Sequence, residues 1–185
     1  MKKFLKENLH MVSKILCNHL GMMIFGLIVS LATSMLSIQF QNSVIKIVVG
    51  VFTALMYMFL LYTVMWEKGA ADKVKIDGGR MEKNKLYGLY VSLYANSLFI
   101  LLAILVIIFY LCGLTEATSF LALISSLVNG MYIIFTGMCP SWFVYIYLIV
   151  QLPSLIVCTI SYILGVNGVK YIFPESKKQR EQNLR

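Results

Sequence analysis

Trp66-Glu67-Lys68-Gly69-Ala70-Ala71-Asp72-Lys73-Val74-Lys75-Ile76-Asp77-Gly78-Gly79-Arg80-Met81-Glu82-Lys83-Asn84-Lys85 is a polar stretch set between two oily halves of the chain. Ten of its twenty residues are charged, six Lys or Arg and four Asp or Glu. A segment this charged stays in water while its apolar flanks enter lipid. It therefore fixes the side from which each half of the chain starts.

Composition agrees with lipid as the solvent. Of 185 residues, 59% are hydrophobic and 13% charged, against roughly 25% charged in a soluble domain. In water such a chain would expose large apolar patches and aggregate. The expected fold is all-α: a polytopic transmembrane helix bundle forming a single integral membrane domain over residues 1–185, with the lipid bilayer as its main partner.

Upstream of the polar stretch, residues 44–65 are apolar enough to span, and Trp66 follows where the membrane interface falls. A short polar link, residues 37–43, separates this run from a span over 20–36. Residues 1–16 read as an interfacial helix. Phe4, Leu5, Leu9, Met11, Val12, Ile15 and Leu16 share one half of the helical wheel, and Lys2, Lys3, Lys6, His10, Ser13 and Lys14 share the other. Downstream, membrane helices are expected at 87–112, 118–137 and 142–165, followed by a basic tail at 170–185. That makes about five membrane-embedded helices. The fourth is the weakest, and a full span and a re-entrant segment both remain open for it. Ser141 is placed to cap the fifth helix, and Gln151 and Pro153 predict a kink within it.

Small or short polar residues recur every fourth position on three spans: Gly26, Ser30 and Ser34; Gly88, Ser92 and Asn96; Ala122, Ser126 and Gly130. Rows of this kind let helices approach closely, so these nine residues are the expected packing surfaces. Asn18, Asn96, Asn129 and Gln151 are the polar residues expected inside the membrane. Interhelical hydrogen bonding is the commoner role for isolated amides there, ahead of ligand contact.

Lys and Arg cluster in three places: four before the first span, six in the loop 66–86 and five in the C-terminal tail. The positive-inside bias puts the N-terminus and the loop in the cytoplasm of a cell with a multi-pass protein in its cytoplasmic membrane. The tail conflicts with this, because five full crossings would end outside. The net charge of +8 reflects these anchors, and nucleic acid is not an expected partner.

Several kinds of chemistry lack their residues. No Asp, Glu or Arg is expected inside a span, which weakens a self-contained proton antiporter. Cys17, Cys112, Cys139 and Cys158 form no CxxC pair, and no Ser-His-Asp order, HExxH or P-loop is present. Gly78-Gly79 beside Arg80 lacks Walker spacing. The expectation is a non-enzyme with no cofactor, no metal and no catalytic residues.

The run Trp66 to Lys73, then Asp77-Gly78-Gly79-Arg80, then Gly88-Leu89-Tyr90 resembles a recurring pattern in small uncharacterised bacterial polytopic membrane proteins. The resemblance covers the second span, the loop and the start of the third. It implies a bacterial inner-membrane setting and carries no activity with it.

The functional expectation is a transport-related or complex-forming membrane subunit, with a protein partner or a second copy of the chain docking on the cytoplasmic loop. Trp66, Asp72, Lys73, Asp77 and Arg80 are the candidate docking residues. A solvated connector is an equally good account of that loop. An immunity or stress-resistance membrane protein is the alternative class.

Overall fold

A computed structural model describes residues 2–39, 44–140 and 143–169, with backbone alone for residues 2–7 and 39. Every regular element among the described residues is helical. The apolar and Lys faces read on residues 2–7, most of the polar link before residue 44, the Ser141 cap and the tail 170–185 lie outside the described residues.

Helix α1 (Lys2–Gln39) is continuous. The expected division into an interfacial helix and a separate span is therefore corrected. The buried stripe Met11, Ile15, His19, Met22 and Gly26 recurs at helical spacing straight through the supposed break. His19, between the two expected segments, is buried with partners, so nothing forces the helix to end there.

Helix α2 (Val44–Asp77) runs twelve residues beyond the expected end at residue 65. Glu67, Lys68, Ala70, Ala71 and Lys73 are good helix formers and carry it on. It stops where Gly79 takes a positive φ of 67° and Arg80 N–H bonds back to Lys75 O at 2.9 Å. Residues 66–77 of the expected loop are thus helix, and only 78–86 connect.

Helix α3 (Tyr87–Leu111) matches its expected span, ending at Gly113 with φ 74°. Helix α4 (Thr115–Val128) follows. Its 14 residues extend about 21 Å, short of a hydrocarbon core of about 30 Å. A single 3-10 turn, Gly130–Tyr132, then leads into α5 (Ile133–Met138), and the pair is bent by 95°. Helices α6 (Ile146–Ile149) and α7 (Leu152–Val166) together are long and apolar enough to cross a membrane. The irregularity expected around Gln151 and Pro153 is the α6–α7 junction, with Pro153 in the first turn of α7, where a missing N–H costs nothing.

Contacts between distant residues fix the ends of the bundle. Tyr87 OH donates to Asn8 Oδ1 at 2.6 Å, which puts the start of α1 beside the start of α3. Trp66 Nε1 donates to Val169 O at 2.7 Å, and Lys83 Nζ donates to Asn167 Oδ1 at 2.7 Å. The start of α1, the end of α2, the start of α3 and the end of α7 therefore share one end, here called the loop end. At the opposite end Thr136, Cys139 and Pro140 line one cavity with Thr118 and Ala122 from the beginning of α4. The α4–α5 pair thus enters and returns on the same side, which makes it re-entrant. Four helices then remain that are long and apolar enough to cross, and the described chain starts and finishes at the same end of the bundle, with Val169 at the loop end.

Three glycine crossings draw the helices together. A Cβ on Gly26 would stand 2.5 Å from the Gly130 carbonyl carbon. One on Gly165 would stand 2.3 Å from Trp66 O, and one on Gly88 would stand 2.5 Å from Cys158 O. Only the absence of a side chain allows backbones this close.

Candidate functional site at the helix break

Ending α4 in mid-bundle frees carbonyls that would otherwise bond the next helical turn. At bilayer depth those carbonyls need protein partners, since no water is at hand. The depth follows from Phe99, the central residue of α3 (Tyr87–Leu111), whose ring stacks on His19 at 4.0 Å.

Two neighbouring helices cap the break. His19 Nε2 lies 3.2 Å from Val128 O, and Thr53 Oγ1 lies 3.2 Å from Met131 O and 2.9 Å from Gly50 O on its own helix, so its one proton is shared between the two carbonyls. Asn129 Nδ2 folds back on Ser125 O at 2.9 Å. A carbonyl can only accept, so the His19 proton sits on Nε2. That leaves Nδ1 to accept from the Tyr57 hydroxyl at 3.0 Å. The tautomer protonated on Nε2 satisfies both contacts. Tyr57 in turn sets its ring edge-on to Tyr132 at 6.1 Å.

The amides complete the cluster. Gln151 Nε2 donates to Asn129 Oδ1 at 2.8 Å, which ties the α6–α7 junction to the break. Asn96 Nδ2 donates to Ser92 O at 2.9 Å and to Ser154 Oγ at 3.2 Å, and Ser154 Oγ donates to Gln151 O at 2.8 Å. Asn96, Asn129 and Gln151 therefore do bond as expected of interhelical amides, whereas Asn18 is only half buried. Asn96 Oδ1, Ser125 Oγ and Tyr132 OH are buried with no hydrogen-bond partner. They are the polar capacity this region leaves unfilled.

On the far side of the break, a cavity of about 140 Å³ lies between α4, α5 and α6. Thr118, Ser119 and Ala122 form one wall, Thr136 and Cys139 another, and Tyr147 reaches across from α6. Ser126 Oγ donates to Tyr147 OH at 3.3 Å.

The packing rows are brought together unevenly. Gly26 and Gly130 meet directly, and Gly88 meets α7. Ser92 and Asn96 are buried, but Ser30, Ser34, Ala122 and Ser126 are only half buried. Close backbone contact is made at Gly26, Gly88 and Gly130, the glycine members of the rows.

The proposed docking residues do not form one exposed surface. Asp72 is fully buried, because α2 turns it toward α7. Lys68 Nζ holds both its oxygens, at 2.6 and 2.7 Å, and Tyr162 OH donates to Oδ2 at 3.2 Å. Lys68 also lies 5.2 Å above the Tyr87 ring. Lys75 stands farther off, at 3.8 Å. Asp72 was expected in a loop, and it is instead buried on the helical continuation of α2 beyond residue 65. Trp66 is bonded to Val169, Lys73 packs against Gly168, and Asp77 and Arg80 are exposed.

His19, Tyr57, Tyr132, Thr53, Lys68 and Tyr162 were not singled out from the sequence. A signal existed for some of them. Tyr57, Leu61, Met65, Gly69 and Asp72 recur at helical spacing, continuing a core stripe from apolar into charged sequence. Comparison with protein-family models, curated proteins and solved structures finds no match.

Proposed function

We propose that this chain is a non-enzymatic, transport-related membrane subunit that gives a small uncharged solute passage through the α4–α5 re-entrant pair. The observation that carries this reading is the pair itself: a helix broken at mid-depth, capped by His19 and Thr53, with a cavity between its arms. Discontinuous helices at the membrane midplane are a recurrent way of building solute sites, because irregular backbone is tolerated there only where protein or a cavity surrounds it.

Among the described residues, His19 is the titratable base bonded to the break, and it is held by Val128 O and the Tyr57 hydroxyl. The buried carboxylate, Asp72, is occupied at the loop end by Lys68. Passage is therefore facilitated, and any energy input comes from a partner protein. The loop end, which holds the basic stretch from Lys68 to Lys85, faces the cytoplasm by the positive-inside bias. The bacterial inner-membrane setting is proposed from the loop resemblance alone.

Purified protein in lipid vesicles tests the reading. After an osmotic step with glycerol, urea or acetamide, light scattering should relax faster than in protein-free vesicles. Ala122→Trp, which fills the cavity, should remove the difference. Relaxation equal to that of empty vesicles for every solute would overturn the proposal.

A further inference from the structure

The chemistry of the cavity walls selects a kind of solute. Thr118 Oγ1 donates its proton to Leu114 O at 2.8 Å, Ser119 Oγ to Thr115 O at 2.9 Å and Thr136 Oγ1 to Ile133 O at 3.1 Å. A hydroxyl whose proton is committed to its own helix turns only lone pairs outward. Three of the cavity's hydroxyls are therefore acceptors. Tyr147 OH, which accepts from Ser126, keeps its own proton to donate. The remaining walls include Ala122, Phe143 and Val144, and no charged residue among the described ones lines the space. Thr118 and Thr136 are 8% and 6% exposed, so a solute bound against them exchanges water for these acceptors. At about 140 Å³ the cavity is close to the roughly 150 Å³ of an engineered cavity that admits benzene, which sets an upper size of about six heavy atoms.

We infer that this cavity is a binding site for a small uncharged molecule carrying N–H or O–H donors, of the primary amide or polyhydric alcohol class. The inference rests on the transport reading for its purpose and on the wall chemistry for its selectivity. An ammonium or carboxylate finds no counter-charge here, and a donor-free molecule leaves the three acceptors unpaired.

Cys139 provides a readout that needs no flux. It lines the cavity and is half exposed, whereas Cys158 is buried. In a Cys17→Ser/Cys112→Ser variant purified in mild detergent, the rate at which methyl methanethiosulfonate modifies Cys139 is followed by mass spectrometry. Acetamide should slow it by the factor 1 + [L]/Kd, about threefold at twice its Kd. Acetone, the same size with no donor, and methylammonium, a charged donor, should each leave the rate unchanged. Thr118→Val/Thr136→Val should abolish protection by acetamide while keeping the unprotected rate, since each removed hydroxyl bonds only its own helix. Equal protection by acetone and acetamide, protection by methylammonium, or no protection by acetamide would overturn the inference. Protection without vesicle flux would leave the site standing and sink the transport reading alone.

Discussion

Lys68→Met lowers the stability of the protein by about 3 kcal/mol, whereas Lys75→Met leaves it nearly unchanged. The difference lies in what each lysine does for Asp72. Lys68 Nζ sits within 2.7 Å of both carboxylate oxygens and is only 21% exposed. Lys75 reaches 3.8 Å and is 57% exposed. Without Lys68, a fully buried carboxylate retains the Tyr162 hydroxyl and a distant, solvated lysine. The loss is large because it strands a charge, and not because the pair itself is strongly stabilising. The double substitution Lys68→Met/Asp72→Leu should therefore recover most of the stability. Thermal unfolding in detergent, followed by tryptophan fluorescence, checks all three variants. A double variant no better than Lys68→Met would show that the pair holds the loop end together in a way apolar packing cannot replace.

Gly26→Ala destabilises by about 2 kcal/mol or more, and Gly21→Ala on the same helix does not. A Cβ at position 26 would stand 2.5 Å from both the carbonyl carbon and oxygen of Gly130 and 2.6 Å from the Met131 Cα. At position 21 it would meet nothing within 4 Å. The obstructing atoms are backbone, so no side chain can swing aside. Either α1 separates from the break or the 3-10 turn moves. Both outcomes disturb His19 on Val128 O and Thr53 on Met131 O. Ser30→Ala and Ser34→Ala, on half-buried members of the same row, should be close to neutral. The same unfolding assay ranks the four variants, and equal effects at positions 21 and 26 would mean the crossing is looser than described.

The spans were legible because lipid imposes one crude demand, a long apolar run. Residues 87–111 satisfy it so fully that the expected and observed α3 agree almost to the residue. Hydropathy is blind to direction, however. The run from Thr118 to Gly137 is uncharged and apolar on average whether it crosses or doubles back. Its bend depends on Val128, Gly130 and Met131 meeting His19, Gly26 and Thr53 from α1 and α2. Those are tertiary contacts between residues about a hundred positions apart, and no local pattern encodes them.

The loop taught a different lesson. Its charges made residues 66–77 look solvated, yet a charged residue can sit inside when its partner is one helical turn away. Lys68 and Asp72 are so placed, and Gly69 between them admits α7 to within backbone contact. Charge density marked a stretch, Lys68 to Lys85, that does lie at one end of the bundle. It misread which of those residues face water.

The loop end and the re-entrant pair together make the central claim, and side-specific labelling tests it most directly. Single cysteines at Arg80, Glu116, Pro140 and Val169, in a background without the native four, are exposed to a membrane-impermeant maleimide in intact cells and in lysed cells. The account predicts that Arg80 and Val169 label from one side and Glu116 and Pro140 from the other. Pro140 labelling with Arg80, or Val169 with Glu116, would mean that α4 and α5 cross, and would contradict it.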